Sequence, residues 1–180
     1  MLEDGDRVLV AVSGGVDSSV LARVLAEKRG RLPVRFELVG CHVVTDVVPP
    51  SEEAARWLDR FFAEIEVPLV RREAPVMSRL EAGGRGFNCF FCAMQRRRAL
   101  TRTALELGCG KLAFGHHLDD VIETLLLNML FNAEISTMPA RVELDDLDLT
   151  FIRPLCKAQE REVKRYAERF GIEEAGAPCP

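Results

Sequence analysis

The stretch Arg7-Val8-Leu9-Val10-Ala11-Val12-Ser13-Gly14-Gly15-Val16-Asp17-Ser18-Ser19 decides the fold. Its first half is a short apolar, β-branched run, which reads as a buried strand. Its second half is a glycine turn, after which Val16, Val20, Leu21, Val24 and Leu25 recur at helical spacing as far as Gly30. Strand, glycine loop and helix in that order put backbone amides and a helix N-terminus at the carboxyl end of a strand. Glycines let an anion approach there, and the helix dipole favours negative charge. Phosphate is the natural guest. The loop has neither the Gly-Lys-Ser/Thr ending of a Walker sequence nor the Gly-x-Gly-x-x-Gly dinucleotide pattern, so it implies a different nucleotide chemistry.

Working outward, the alternation repeats. Residues 35–44 read as a strand, 51–64 as a helix capped by Ser51, and 67–71 as a strand. After Gly83-Gly84-Arg85-Gly86, a basic helix is expected from near 92 to 107, then a strand at 111–114 and a helix at 118–130. A short strand at 151–153 and a helix at 158–170 ended by Gly171 complete the pattern. Strands separated by helices imply parallel pairing and right-handed crossovers. The expected class is α/β, a doubly wound, mainly parallel five-stranded sheet with helices on both faces. Residues 1–180 read as a single domain with a Cys-x-x-Cys helix inserted near 83–107. Ligands then sit at the carboxyl ends of the strands. The acidic residues 143–148 read as a solvated turn.

The chain has 180 residues, 48% hydrophobic and 29% charged, the mix of a globular domain with a packed core. No apolar run reaches the roughly 20 residues of a membrane span, and the acidic start Met1-Leu2-Glu3-Asp4 is unlike a signal peptide, so a cytoplasmic protein is expected. The net charge of −4 excludes whole-molecule attraction to nucleic acid; any RNA contact has to be a local patch. Basic residues do concentrate in one region: Arg71, Arg72, Arg79 and Arg85 precede Cys89-Phe90-Phe91-Cys92, and Arg96, Arg97, Arg98 and Arg102 follow it. Such a cluster can hold a phosphate backbone or simply be an exposed helix face. Phe87, Phe90 and Phe91 can stack on unpaired bases or fill a core.

Two further constellations carry chemistry. Gly115-His116-His117-Leu118-Asp119-Asp120-Val121-Ile122-Glu123-Thr124 lies at another strand end and helix start. Asp120 and Glu123, or Asp119 and Glu123, share a helical face and could meet phosphates through magnesium; the same acids could merely complement the helix N-terminus. The pair Cys89 and Cys92 falls just before, or in, the first turn of the basic helix. By itself it fits half a zinc site, a redox pair or part of an iron–sulfur cluster. Cys41, Cys109 and Cys156 are expected to be buried small hydrophobes.

The heptapeptide from Ser13 to Ser19 resembles the pyrophosphate-binding loop of the N-type ATP pyrophosphatases, the PP-loop superfamily. Taken with Cys89-x-x-Cys92, Gly115 to Thr124, Arg153-Pro154-Leu155 and the late Cys179, the chain resembles the TtcA/TtuA family of tRNA thiolation enzymes. That resemblance implies an adenine nucleotide alpha hydrolase-like fold. It also implies an enzyme that uses ATP and Mg2+ to adenylate a tRNA pyrimidine carbonyl before sulfur replaces the oxygen. The nucleotide would lie on Ser13, Gly14, Gly15, Asp17, Ser18 and Ser19, with His42, Gly115, His116 and Asp120. Asp17, Asp120, Cys89 and Cys92 would be catalytic, and Cys89, Cys92 and Cys179 would hold a [4Fe-4S] cluster. The implied partners are tRNA, a sulfur donor protein or inorganic sulfide, and a second copy in a homodimer, with no membrane. Val16 stands where this family commonly has lysine. The alternatives are a cysteine persulfide carrier without iron, an adenylating enzyme for a small molecule, and a nucleotide-binding sensor without catalysis.

Overall fold

The computed structural model describes residues 1–83 and 86–175. Its strands are β1 (Asp6–Val12), β2 (Phe36–Thr45), β3 (Leu69–Ala74), β4 (Lys111–Ala113), β5 (Arg141–Leu144) and β6 (Leu149–Ile152). Its helices are α1 (Val16–Lys28), α2 (Glu52–Glu64), α3 (Met77–Ala82), α4 (Cys89–Glu106), α5 (Leu118–Leu127) and α6 (Glu160–Phe170). The sheet order is β3-β2-β1-β4-β6-β5, parallel except for the β5–β6 pair. Chain order reverses between β1 and β4, so the crevice of a doubly wound fold opens at their carboxyl ends.

The doubly wound, mainly parallel class holds, but the sheet has six strands where five were expected. The added strand comes from the acidic stretch. Glu143 and Leu144 end β5, Asp145–Leu147 form a 3-10 turn, and Asp148 reverses the chain at φ 48° into β6. Val142 and Leu144 are half-buried while Arg141 and Glu143 point out. The alternation of an edge strand was present, hidden by the charges that blunt such edges.

Period-two alternation along β1 divides the core. Val8, Val10 and Val12 face α1, α2 and α6, packing with Leu21, Leu58, Phe62 and Val163. Leu9 and Ala11 face α4, packing with Val39, Cys41, Leu100, Ala104 and Leu112. Gly40 of β2 is required by α2: a Cβ there would lie 2.4 Å from the Phe62 ring. Cys41, Cys109 and Cys156 are buried as expected, and burial pushes the Cys41 thiol up to about 11.

Local signals set the helix ends. The Ser51 hydroxyl accepts from the Ala54 amide at 3.1 Å to start α2, and Gly171 closes α6 at φ 60°. The Asn88 side chain accepts from the Phe91 amide at 3.1 Å and starts α4 at Cys89, slightly ahead of the expected start. The short α3 had no periodic signature. It is held from outside by Asp46, whose carboxylate accepts from the amides of Val76, Met77 and Ser78 and from the Ser78 hydroxyl. Those bonds, led by the Ser78 hydroxyl, hold the Asp46 carboxyl well below the usual carboxylate range. Among the described residues no helix is long and apolar enough to cross a membrane.

Candidate functional site

The glycine loop runs from β1 into α1 much as its sequence requires. Gly14 takes φ 91°, which favours glycine. Gly15 caps α1 with no side-chain bond to the helix amides. Ser13 and Ser18 brace the turn: the Ser18 hydroxyl lies 3.2 Å from the Ser13 amide, 3.1 Å from the Ser13 hydroxyl and 3.0 Å from the Gly15 carbonyl. The buried Ser19 hydroxyl donates to the same carbonyl at 3.1 Å.

At the neighbouring strand end, Gly115 lies against the first turn of α1. A Cβ on it would stand 3.0 Å from the Asp17 carbonyl carbon and the Ser18 amide nitrogen, so only glycine lets the two loops close together. The following histidines divide the work. His117 caps α5 reciprocally with Asp120: the His117 amide donates to the Asp120 carboxylate at 2.8 Å, and the Asp120 amide approaches His117 Nδ1 at 3.4 Å. Asp119 reaches across to accept from the Glu160 amide at 2.7 Å, joining α5 to α6. His116 faces the crevice, with its Nδ1 buried and unpartnered among the described residues. Burial and the nearby Arg153 hold its pKa below the ordinary histidine value.

Between these loops lies a cavity of about 330 Å³ whose walls include Ser13, Asp17, Ser18, Gly115, His116 and Asp120. Its remaining wall is α4, through Ala93, Arg96, Arg97 and Leu100, with Phe114 beside them. Sequence alone left the arginines open between a phosphate-backbone contact and an exposed helix face; Arg96 and Arg97 line this cavity. A signal for this existed: Cys89, Cys92, Ala93, Arg96 and Leu100 fall at helical spacing on one stripe. Val16 packs instead against the core around α1 and α6. Positive charge therefore enters the cavity from α4 and not from the loop. Asp17 is partly buried among Asp120 and Glu160, with His117 opposing them. Burial is the main cause that raises its pKa.

Gly14, Gly15, Ser19 and His42 are outside the cavity wall, although the first three belong to the loop that shapes it. His42 is buried, with its Nδ1 2.9 Å from the Val12 carbonyl. It ties β2 to the root of the loop. Glu123 is exposed on α5 and is not part of the cavity wall, which Asp120 lines while it also caps α5 with His117. Arg153 is buried behind the site, donating to the Pro139 carbonyl at 2.6 Å with its guanidinium 6.0 Å from the Phe114 ring centre.

Cys89 is exposed and Cys92 buried, both in the first turn of α4. Cys92 packs with Val76 and Leu80 of the α3 region, and Phe91 lies against the same group. The pair is one helical turn from Ala93 and Arg96 in the cavity wall. Two soft sulfurs a helical turn apart are a donor set suited to a thiophilic metal such as iron. Cys179 lies outside the described residues. Ala175, the last of them, donates its amide to the Gly14 carbonyl at 2.8 Å. No group of three or more His, Cys, Asp or Glu side chains gathers as a metal site among the described residues. Of the remaining arginines, Arg71 pairs with Asp59, Arg72 with Glu106, and Arg79 with Gln95.

A phosphate-type loop beside a histidine–aspartate loop, at the carboxyl edge of a parallel sheet, defines a nucleotide-binding α/β domain. The chain belongs to the PP-loop domain family, whose model matches residues 3–173, and within it to the tRNA-thiolation branch anticipated from its motifs. It is 38% identical to a tRNA-cytidine(32) 2-sulfurtransferase of Anaeromyxobacter, over 99% of this chain and 58% of that one. It is 36% identical to the enzyme of the same name from Syntrophotalea carbinolica, over 100% of this chain and 69% of that one. The chain thus spans from under three fifths to about two thirds of these relatives' lengths. Its fold matches that of the U34-tRNA thiolase NcsA from Methanococcus maripaludis, solved with its [4Fe-4S] cluster. The TM-score is 0.79 at 24% identity, covering 99% of this chain and 62% of that one.

Proposed function

We propose that this chain carries out the ATP-dependent 2-thiolation of a pyrimidine in tRNA through an adenylated base. The observation that carries this reading is α4, one helix that presents arginines to the nucleotide cavity and a cysteine pair a turn away. The names of the relatives support tRNA as substrate and cytidine as the base.

Ser13, Gly14, Gly15, Ser18 and Ser19 hold the phosphates of ATP. Arg96 and Arg97 offset their charge, and Asp17 and Asp120 position the accompanying Mg2+. His116 fills its empty hydrogen-bonding capacity with the nucleotide. The carbonyl oxygen of the base attacks the α-phosphorus, an O–P bond forms, and pyrophosphate leaves with the electrons of the bond that breaks. A sulfur nucleophile then adds to the activated carbon, and AMP departs with the former carbonyl oxygen. Adenylation is needed because an amide-like oxygen is a poor leaving group. Cys89, Cys92 and Cys179 would hold a [4Fe-4S] cluster, which when bound supplies the sulfur.

Nucleoside mass spectrometry of tRNA from cells with and without this protein tests the reading. A thio-pyrimidine is expected with the intact chain and is expected to vanish with Cys89→Ala, Cys92→Ala or Cys179→Ala. An unchanged profile overturns it. Anaerobic reconstitution should give broad visible absorbance that each cysteine variant loses. Thiolation without iron would favour a persulfide on Cys89, which is the exposed thiol.

A further inference from the structure

Along the flank of α4 that faces the sheet edge lies a second groove, about 690 Å³, between that helix and the β5–β6 hairpin. Its floor is apolar: Phe90, Met94 and Leu105 from α4 face Leu144, Leu147 and Phe151. Its charged lining is Arg97, Arg98 and Arg102 against one carboxylate, Glu106, so the excess is positive. Ala93 and Arg97 line both this groove and the nucleotide cavity, so the two spaces meet across one helix stripe.

Phe90 is 78% exposed, so its ring serves no core, and it sits between the two cysteines. Arg98 is exposed and has no ion pair or hydrogen bond among the described residues, while Arg102 is pinned by Glu106 at 2.8 Å. Arg98 and Arg102 also line a third hollow on the β3 side of α4, along with Arg72 and Arg79, so they form a ridge between two depressions. A ridge of guanidiniums beside an aromatic, apolar floor complements a strand that carries phosphates on one side and flat apolar faces on the other. In a chain of net charge −4 that patch is selective for where a polyanion docks.

We propose that the groove between α4 and the β5–β6 hairpin docks the unpaired strand of the RNA substrate. A base stacks on Phe90 over the apolar floor, and the phosphates follow Arg98 and Arg102. The inference rests on the tRNA reading above and adds where the strand lies and why an unpaired segment is needed. A paired base has no free face to offer Phe90. The continuity through Ala93 and Arg97 lets the neighbouring nucleotide enter the ATP cavity.

The test measures fluorescence anisotropy of the full chain with a labelled stem-loop RNA, a fully paired duplex of equal length, and inorganic polyphosphate of equal charge. The stem-loop should bind most tightly. Phe90→Ala should weaken the stem-loop about tenfold with little effect on the duplex. Arg98→Glu should reduce the salt slope of log affinity by about one. Leu147→Glu, on the exposed hairpin, should weaken the stem-loop without touching α4. ATP affinity should be unchanged in all three, which also reports folding. Stem-loop binding as strong as wild type in all three variants, or polyphosphate binding as tight as the stem-loop, overturns the groove. Thiolation with groove-independent RNA binding sinks only this inference; groove-dependent binding without any thiolated nucleoside sinks only the tRNA-thiolation reading.

Discussion

Two helix starts lie side by side at the carboxyl edge of the sheet, α1 after β1 and α5 after β4, and they are finished in opposite ways. The first turn of α5 is closed by its own side chains, His117 and Asp120 serving each other's amides. The first turn of α1 is preceded by two glycines and has no side-chain cap. Capping satisfies amides that would otherwise need a partner. The difference assigns the work: α5 supplies a fixed wall, and α1 supplies donors still available to an anion. It also separates two aspartates that look alike in sequence. Asp120 is held by a structural bond, whereas Asp17 carries no cap and feels its charge through burial and its acidic neighbours.

The contrast breaks most readily at Gly115. Gly115→Ala sets a methyl 3.0 Å from the backbone of Asp17 and Ser18, forcing the open and closed starts apart. The backbone must give by a few tenths of an ångström, so pyrophosphate release should fall about tenfold, short of the roughly hundredfold loss that a full ångström of misplacement can cause; calorimetric ATP titration should show weaker binding. Unchanged affinity would mean that the two loops do not act together.

Next in size are paired variants. Asp17→Asn should suppress pyrophosphate release with little change in melting temperature. His117→Ala should remove the α5 cap, cost about 1 kcal/mol and lower the melting temperature by about 3 °C. Scanning calorimetry beside a pyrophosphate assay reads both. Equal melting losses in the two variants would erase the distinction between the helix starts.

The smallest effect concerns the root of the α1 loop. His42 is buried with Nδ1 against a carbonyl, so Nδ1 carries the proton and the neutral ring is the folded form. Burial lowers its pKa from the ordinary value of 6.5. The unfolded chain therefore takes up a proton that the folded chain resists, and stability present above about pH 6.5 is lost as the pH falls. Chemical denaturation between pH 7 and 5.5 should show that slope, and His42→Asn should reduce it, leaving the part that His116 contributes in the same way; an unaltered slope would assign it to other groups.

Much of this was legible in the sequence because the two signals involved are local. A continuous apolar run into Ser13-Gly14-Gly15 specifies strand, turn and helix without help from the rest of the chain. Ser51 and Gly171 mark their helix ends in the same way. What escaped depends on distant parts of the chain. The β5 strand is an edge whose outward charges cover a two-residue alternation. The helix α3 is capped by Asp46 from another segment, a partnership that no spacing rule reveals. The role of Asp120 as a cap and the exposure of Glu123 likewise follow from how α5 is set against His117. For Arg96 and Arg97 the sequence leaves an RNA contact and an exposed face as alternatives until β1 and β4 supply the opposite wall. The stripe that Arg96 shares with Cys89 and Cys92 was present, but nothing in one helix says what it faces.

The unbroken run of α4 imposes a phase constraint on its gene. Successive residues turn about 100° around a helix axis. One codon added between Cys92 and Arg96 would therefore swing the guanidiniums out of the crevice while leaving the sulfurs where they are. Only changes near a whole turn preserve the azimuth. Length polymorphism should thus be purged from this short interval.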